Sequence, residues 1–122
     1  MKTVAVVGAH NDRSRFGNKA VRAFLQQGFQ VFPINPNETV IEGLEAYKTI
    51  AEVPVRPEIV TVYVRPEILV HLLPEIARRG CDELWLNPGT ASDEVLKVAS
   101  ESKLNVIQAC SILGIGVSPA AL

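Results

Sequence analysis

The sequence predicts an α/β fold: a five-stranded parallel sheet with helices on both faces, three layers in all. Three observations carry that prediction. Five short apolar runs rich in β-branched residues occur at 3–7, 30–34, 59–64, 83–86 and 105–108. Amphipathic stretches of helical spacing separate most of them. Each run ends in a turn-forming or polar residue, which marks one common edge where loops gather. The 122 residues suit one domain covering 1–122, long enough to bury roughly two-thirds of its unfolded surface.

The first strand, Val4-Ala5-Val6-Val7, runs straight into Gly8-Ala9-His10. A helix follows over 15–27, with Ala20, Val21, Phe24 and Leu25 on one face and Gly28 at its carboxyl cap. Gln30 to Ile34 is the second strand, closed by Asn35-Pro36. Residues 38–57 are less regular. A turn near Gly43 and one helical turn from Thr49 to Val53 are expected there. Ile59 to Val64 is the third strand. Pro66 opens a helix that ends near Gly80, and Pro74 inside it predicts a kink or break. Glu83 to Leu86 is the fourth strand, followed by the loop Asn87-Pro88-Gly89. Thr90 or Ser92 caps a helix over 92–102, whose Asp93 and Glu94 suit the positive end of its dipole. Asn105 to Gln108 is the fifth strand. With right-handed crossovers the expected order, counting strands along the chain, is 3-2-1-4-5. A ligand would then sit at the carboxyl ends, at the switch point between the first and fourth strands.

Composition narrows the function classes. Hydrophobic residues make up 48% and charged residues 20%, and the net charge is -1. That balance argues against general nucleic-acid or membrane binding. Yet Lys2, Arg13, Arg15, Lys19 and Arg22 face only Asp12 in the first 37 residues. A cationic end on a nearly neutral chain suits a small anionic ligand. Lys19 and Arg22 read as a solvated helix face, whereas Arg13 and Arg15 stand in the loop itself. Cys81 and Cys110 lack metal-ligand spacing and do not form a disulfide framework. No leader pattern or membrane-length apolar run is seen, so a cytoplasmic protein is expected.

Gly8, Asn35, Val64-Arg65 and Asn87-Pro88-Gly89 all fall at carboxyl ends of strands and should converge on one crevice. Gly8 lets a phosphate approach the backbone. The amides around Ala9 and His10, with the helix start at Phe16-Gly17, form a cradle for a pyrophosphate. Arg13 and Arg15 add charge-assisted bonds. The loop is nonetheless not G-x-G-x-x-G, because Gly8 and Gly17 lie nine residues apart. The second strand ends in Asn35-Pro36-Asn37, where an NAD site places an acid to grip the ribose hydroxyls. A neutral end tolerates a phosphate on the ribose. The same three residues also suit a turn that merely closes a strand.

The chain resembles the small CoA-binding domain family, which is similar to the amino-terminal CoA-binding domain of the succinyl-CoA synthetase alpha subunit. The resemblance rests on Val4 to Ala9, Gly28 to Pro36, Ile41-Glu42-Gly43 with Tyr47, and Val62 to Glu67. Gly80, Trp85 to Gly89, and Val106-Ile107 before Cys110 extend it through nearly the whole chain. The family implies a Rossmann-like fold that binds CoA through its ADP part. By position, the resemblance implies that Gly8, Ala9 and His10 hold the pyrophosphate. Asn35, Pro36 and Asn37 would lie along the adenosine. Val64 and Arg65 would flank the adenine or the pantetheine path. Asn87, Pro88 and Gly89 would form the rim near the thiol. This chain has His10 where the family commonly has Ser, and Asn37-Glu38 where a basic residue commonly follows Asn-Pro.

No Ser-His-Asp order, carboxylate pair or metal cluster emerges, so binding is favoured over catalysis. His10 reads as a polar loop residue, His71 as surface, and Cys81 and Cys110 as small apolar residues. Cys110 also ends the fifth strand near a ligand thiol. Three functions stay open. One is a stand-alone CoA or acyl-CoA binding protein. The second is an NAD(P)- or other nucleotide-binding regulator. The third is a subunit of an enzyme assembly, for which the apolar tail from Ile112 to Leu122 offers a surface for a second copy or another protein.

Overall fold

The computed structural model describes residues 2–122. Its seven strands and four helices run β1 (Thr3–Val7), α1 (Phe16–Gln26), β2 (Gln30–Ile34), β3 (Val40–Ile41), β4 (Leu44–Glu45), β5 (Ile59–Val62), α2 (Pro66–Arg79), β6 (Glu83–Leu86), α3 (Asp93–Glu101), β7 (Val106–Gln108) and α4 (Ser111–Gly114). Short 3-10 turns lie at Ile50–Glu52 and Pro119–Ala121. No helix among the described residues is long and apolar enough to cross a membrane.

Alternation along the strands builds the expected three layers. Val4, Val6 and Val31 point to one face and pack with Ala20, Val21 and Phe24 of α1 and with Ile112 of α4. Ala5, Val7, Phe32 and Ile34 point to the other. There they join Val60 and Val62 of β5, Leu84 and Leu86 of β6, Leu69, Leu73 and Ile76 of α2, and Val95 and Ala99 of α3. Ser92 is the cap of α3, its hydroxyl accepting from the Val95 amide at 3.1 Å. α2 runs unbroken through Pro74. That proline forfeits one backbone bond but stays inside a helix held by its buried face.

The parallel five-stranded sheet is present, but its order is β2-β1-β5-β6-β7. Counted over the five sheet strands, that is 2-1-3-4-5 and not the expected 3-2-1-4-5. The reason lies on the outer edge of β2. In a strand a residue's N–H and C=O point to the same side, and the Pro33 carbonyl faces outward to accept from the Tyr47 amide at 2.9 Å. Proline has no N–H to offer on that side, so a full ladder cannot form there. A single parallel bridge from Ile34 to Tyr47 occupies the edge. The β3–β4 hairpin packs with the α1 side of the core and the 3-10 turn with the α2 side, and β5 pairs with the free side of β1. The direction of winding therefore reverses between β1 and β5, which moves the switch point there from the expected first and fourth strands.

Candidate functional site

Gly8 follows β1 directly with φ +91°, and a Cβ there would stand 3.0 Å from Val64 Cγ1 and 3.1 Å from the Tyr63 carbonyl carbon. Only glycine lets β1 and β5 finish this close together. The amides of Gly8 and Ala9 both donate to the Ile34 carbonyl, at 3.1 and 3.2 Å. Asn35 completes the join, its Nδ2 donating to the Ala9 carbonyl at 2.9 Å while its Oδ1 accepts from the Asn37 amide at 2.8 Å. Asn35 thus ties the ends of β1 and β2 together and folds the chain back at Pro36-Asn37.

The loop from 10 to 15 is braced from below. Asn18 is fully buried. Its Nδ2 donates to the His10 carbonyl at 2.8 Å and to Glu42 Oε2 at 3.0 Å. Arg22 donates to Asn18 Oδ1 and to the Arg13 carbonyl, both at 2.7 Å. Arg22 is therefore a brace and not a solvated residue, because the loop curls over its helix face. Lys19 lies over the Phe16 ring, 5.3 Å from its centroid. The Asp12 amide donates to His10 Nδ1 at 2.9 Å. With Nδ1 accepting, the neutral imidazole carries its proton on Nε2. Ser14 donates twice to the Asp12 carboxylate, which holds that group below the usual carboxylate range.

Two cavities open above the carboxyl ends of the strands. One, about 610 Å³, lies between α1 and the tail, against Asn87, Pro88, Gly89, Cys110, Leu113 and Pro119. The other, about 760 Å³, lies between the end of β2 and α2, against Asn35, Pro36, Asn37, Lys48, Thr49, Ile68 and Leu72. Gly8, His10, Arg15, Tyr63, Val64 and Arg65 line both, so the two lobes meet over the reversal of the sheet. Phe16 and Gly17 face the first lobe at the amino end of α1. Their amides have no hydrogen-bond acceptor among the described residues, as expected for a first helical turn.

Most of the residues singled out from the sequence meet in this crevice. Two do not line it. Ala9 is fully buried beneath it. Arg13 turns away, its Nε 3.4 Å from Glu42 Oε2. Arg15 stays at the junction with Asp12 3.8 Å away. Arg65 stands there too, 3.9 Å from Glu67. His71 is exposed on α2, outside both lobes.

Asn87 has a second task. It is almost fully buried. Its Nδ2 donates to Thr61 Oγ1 at 2.7 Å and to the Val62 carbonyl at 2.9 Å, and its Oδ1 accepts from the Ser111 amide at 2.9 Å. The Ser111 hydroxyl lies 2.7 Å from Thr61 Oγ1 and 3.0 Å from the Tyr63 hydroxyl. This polar pin joins β5, β6 and α4 under the first lobe. Burial pushes the Tyr63 phenol up to about 12, against the opposing pull of its hydroxyl neighbours. Sequence reading missed Thr61, Tyr63 and Ser111. The available signal was a threonine at the centre of an apolar strand, where a buried hydroxyl requires a partner.

A parallel sheet whose winding reverses beneath a bilobed crevice defines a Rossmann-like α/β domain with its candidate site at the carboxyl ends. The chain belongs to the CoA binding domain family, whose model matches residues 2–115. The resemblance read from the sequence is thereby borne out. The chain is 30% identical over 78 residues to the alpha subunit of an ADP-forming acetate–CoA ligase II from Pyrococcus furiosus. That match takes in 63% of this chain but only 17% of the ligase subunit. It is 26% identical over 106 residues to the uncharacterized protein YneT of Bacillus subtilis, covering 87% of this chain and 78% of that one. Among solved structures, a conserved hypothetical protein from Pyrococcus furiosus superposes with a TM-score of 0.86 at 27% identity, covering 93% of this chain and 99% of that one.

Proposed function

We propose that residues 1–122 act as one stand-alone domain that binds CoA or an acyl-CoA. The observation that carries this reading is the meeting of two lobes at a cationic junction. CoA has the same order of parts: adenosine, then a pyrophosphate, then pantetheine. The pyrophosphate would lie between the lobes, with Arg15, Arg65 and His10 Nε2 as donors and the free amides of Phe16 and Gly17 at the positive end of α1. The adenosine would enter the lobe along Asn35, Pro36 and Asn37. Pantetheine would pass Val64 toward Asn87, Pro88 and Gly89, bringing the thiol end near Cys110.

The reading concerns binding. The ligase subunit's activity belongs to a chain of which this one spans 17%. Calorimetric titration with CoA, dephospho-CoA and NAD at one salt concentration tests the proposal. Micromolar binding of CoA with no heat from NAD is expected. Absence of binding by CoA overturns it, and preference for NAD replaces it with a dinucleotide-binding regulator.

A further inference from the structure

We infer that Lys48 reads the 3′-phosphate of CoA and sets the preference of the adenosine lobe for a phosphorylated ribose. This rests on the CoA reading above and assigns a residue to one group of that ligand.

The end of β2 offers no positive charge, since Asn35, Pro36 and Asn37 are neutral and the acidic Glu38 follows. Glu38 is turned aside, accepting from Asn11 Nδ2 at 2.8 Å. A ribose phosphate in this lobe therefore needs a cation from another part of the chain. His10, Arg15 and Arg65 line both lobes at their junction, where the pyrophosphate competes for them. Lys48 lines the adenosine lobe alone. It makes no ion pair among the described residues, whereas Arg15 and Arg65 each have an acid within 4 Å.

The backbone places Lys48 firmly. Its neighbour Tyr47 forms the bridge to Ile34, donating to the Pro33 carbonyl and accepting from the Asn35 amide, both at 2.9 Å. On the other side, Glu52 Oε2 accepts from the amides of Lys48 and Thr49 at 3.2 and 3.3 Å. The carboxylate of Glu52 is thus engaged with the backbone. Lys48 lies beside Asn35 to Asn37 on a segment fixed at both ends, and its side chain is exposed. A flexible point charge of this kind suits a phosphomonoester dianion at the open side of a pocket. Glu75 also lines the lobe and lies toward the 3-10 turn, within 3.3 Å of the Ala51 amide.

The test compares CoA and dephospho-CoA on the full chain and on Lys48→Ala, Lys48→Arg and Lys48→Glu, with thermal unfolding as a check on folding. The native chain should prefer CoA by about tenfold or more, with Lys48→Ala losing that preference while binding dephospho-CoA as before. Lys48→Arg should restore most of the preference and Lys48→Glu should reverse it. A preference that survives Lys48→Ala overturns the inference. So does a native chain that binds both ligands equally, which leaves the CoA reading standing. Failure of the native chain to bind either ligand overturns the CoA reading and this inference with it.

Discussion

A Cβ placed on Gly17 would lie 2.0 Å from the carbonyl oxygen of Gly8. The two glycines are nine residues apart, yet they form one contact at which helix α1 rests on the end of strand β1. The approach brings the first-turn amides of α1 over the strand ends. It does for this loop what the last glycine of the common dinucleotide fingerprint does for close helix–strand packing.

Gly17→Ala should therefore be severe. The methyl group meets backbone, which cannot rotate out of the way. A loss of about 3 kcal/mol or more in unfolding free energy is expected, measured by urea denaturation. Gly28→Ala, at a cap with open space around it but also at positive φ, should cost only about 1 kcal/mol. Equal losses at the two sites would show that α1 can slide away from Gly8.

The two loop arginines should separate in binding. Arg15 lines the junction of the lobes, whereas Arg13 is turned toward Glu42. Arg15→Ala should weaken CoA binding about tenfold, about 1.4 kcal/mol. Arg13→Ala should change affinity less than about twofold, well under 1 kcal/mol. Calorimetry on both variants checks this, and the reverse ranking would mean that the loop re-forms around the ligand.

Asn87 should matter first for stability. Asn87→Ala removes an acceptor from the buried Ser111 amide and a donor from Thr61 Oγ1 and the Val62 carbonyl. Leaving such groups unpaired should cost about 2–4 kcal/mol. The urea midpoint of the free protein should fall accordingly. A small change in midpoint would mean that water replaces the amide.

Alkaline pH should weaken the fold through Tyr63. Its phenol is raised from 10.0 to about 12 in the folded chain. The folded state therefore holds this proton more tightly than the unfolded state. The stability that this proton contributes is fully present below about pH 10 and is lost as pH rises toward about 12. Cys81 adds a loss in the same direction, because burial lifts its thiol from 9.0 to about 11. Tyr63→Phe should flatten the decline between pH 10 and 12, as read by thermal unfolding across that range. An unchanged slope would assign the decline to other groups.

Much of the fold was legible because its signals are local. The apolar run Val4 to Val7, the Ala20, Val21 and Phe24 face of α1, the stop at Gly28 and the Ser92 cap each act within a few residues, whereas Leu25, expected on that face, is exposed. Strand order was not legible, since it depends on which way Pro33 faces and on where Tyr47 comes to rest. The site divides in the same way. Gly8, His10 and Asn87 announce themselves at strand ends. The pairing of Thr61 with Ser111 spans 50 residues, and Lys48 reaches the lobe only because its neighbour bridges to β2. Arg13 and Arg15 look alike in the chain, and only the position of Glu42 tells them apart.

The only tryptophan of the chain, Trp85, stands on β6 with its ring against Gly114, where a Cβ would come within 2.8 Å of the indole. The same tail supplies Cys110, Leu113 and Pro119 to the wall of the first lobe. Lifting the tail would wet one face of that indole, while pressing it down would dry it. The chain thus carries its own optical gauge: the colour of Trp85 emission reports whether the carboxyl-terminal segment is seated, with no dye attached.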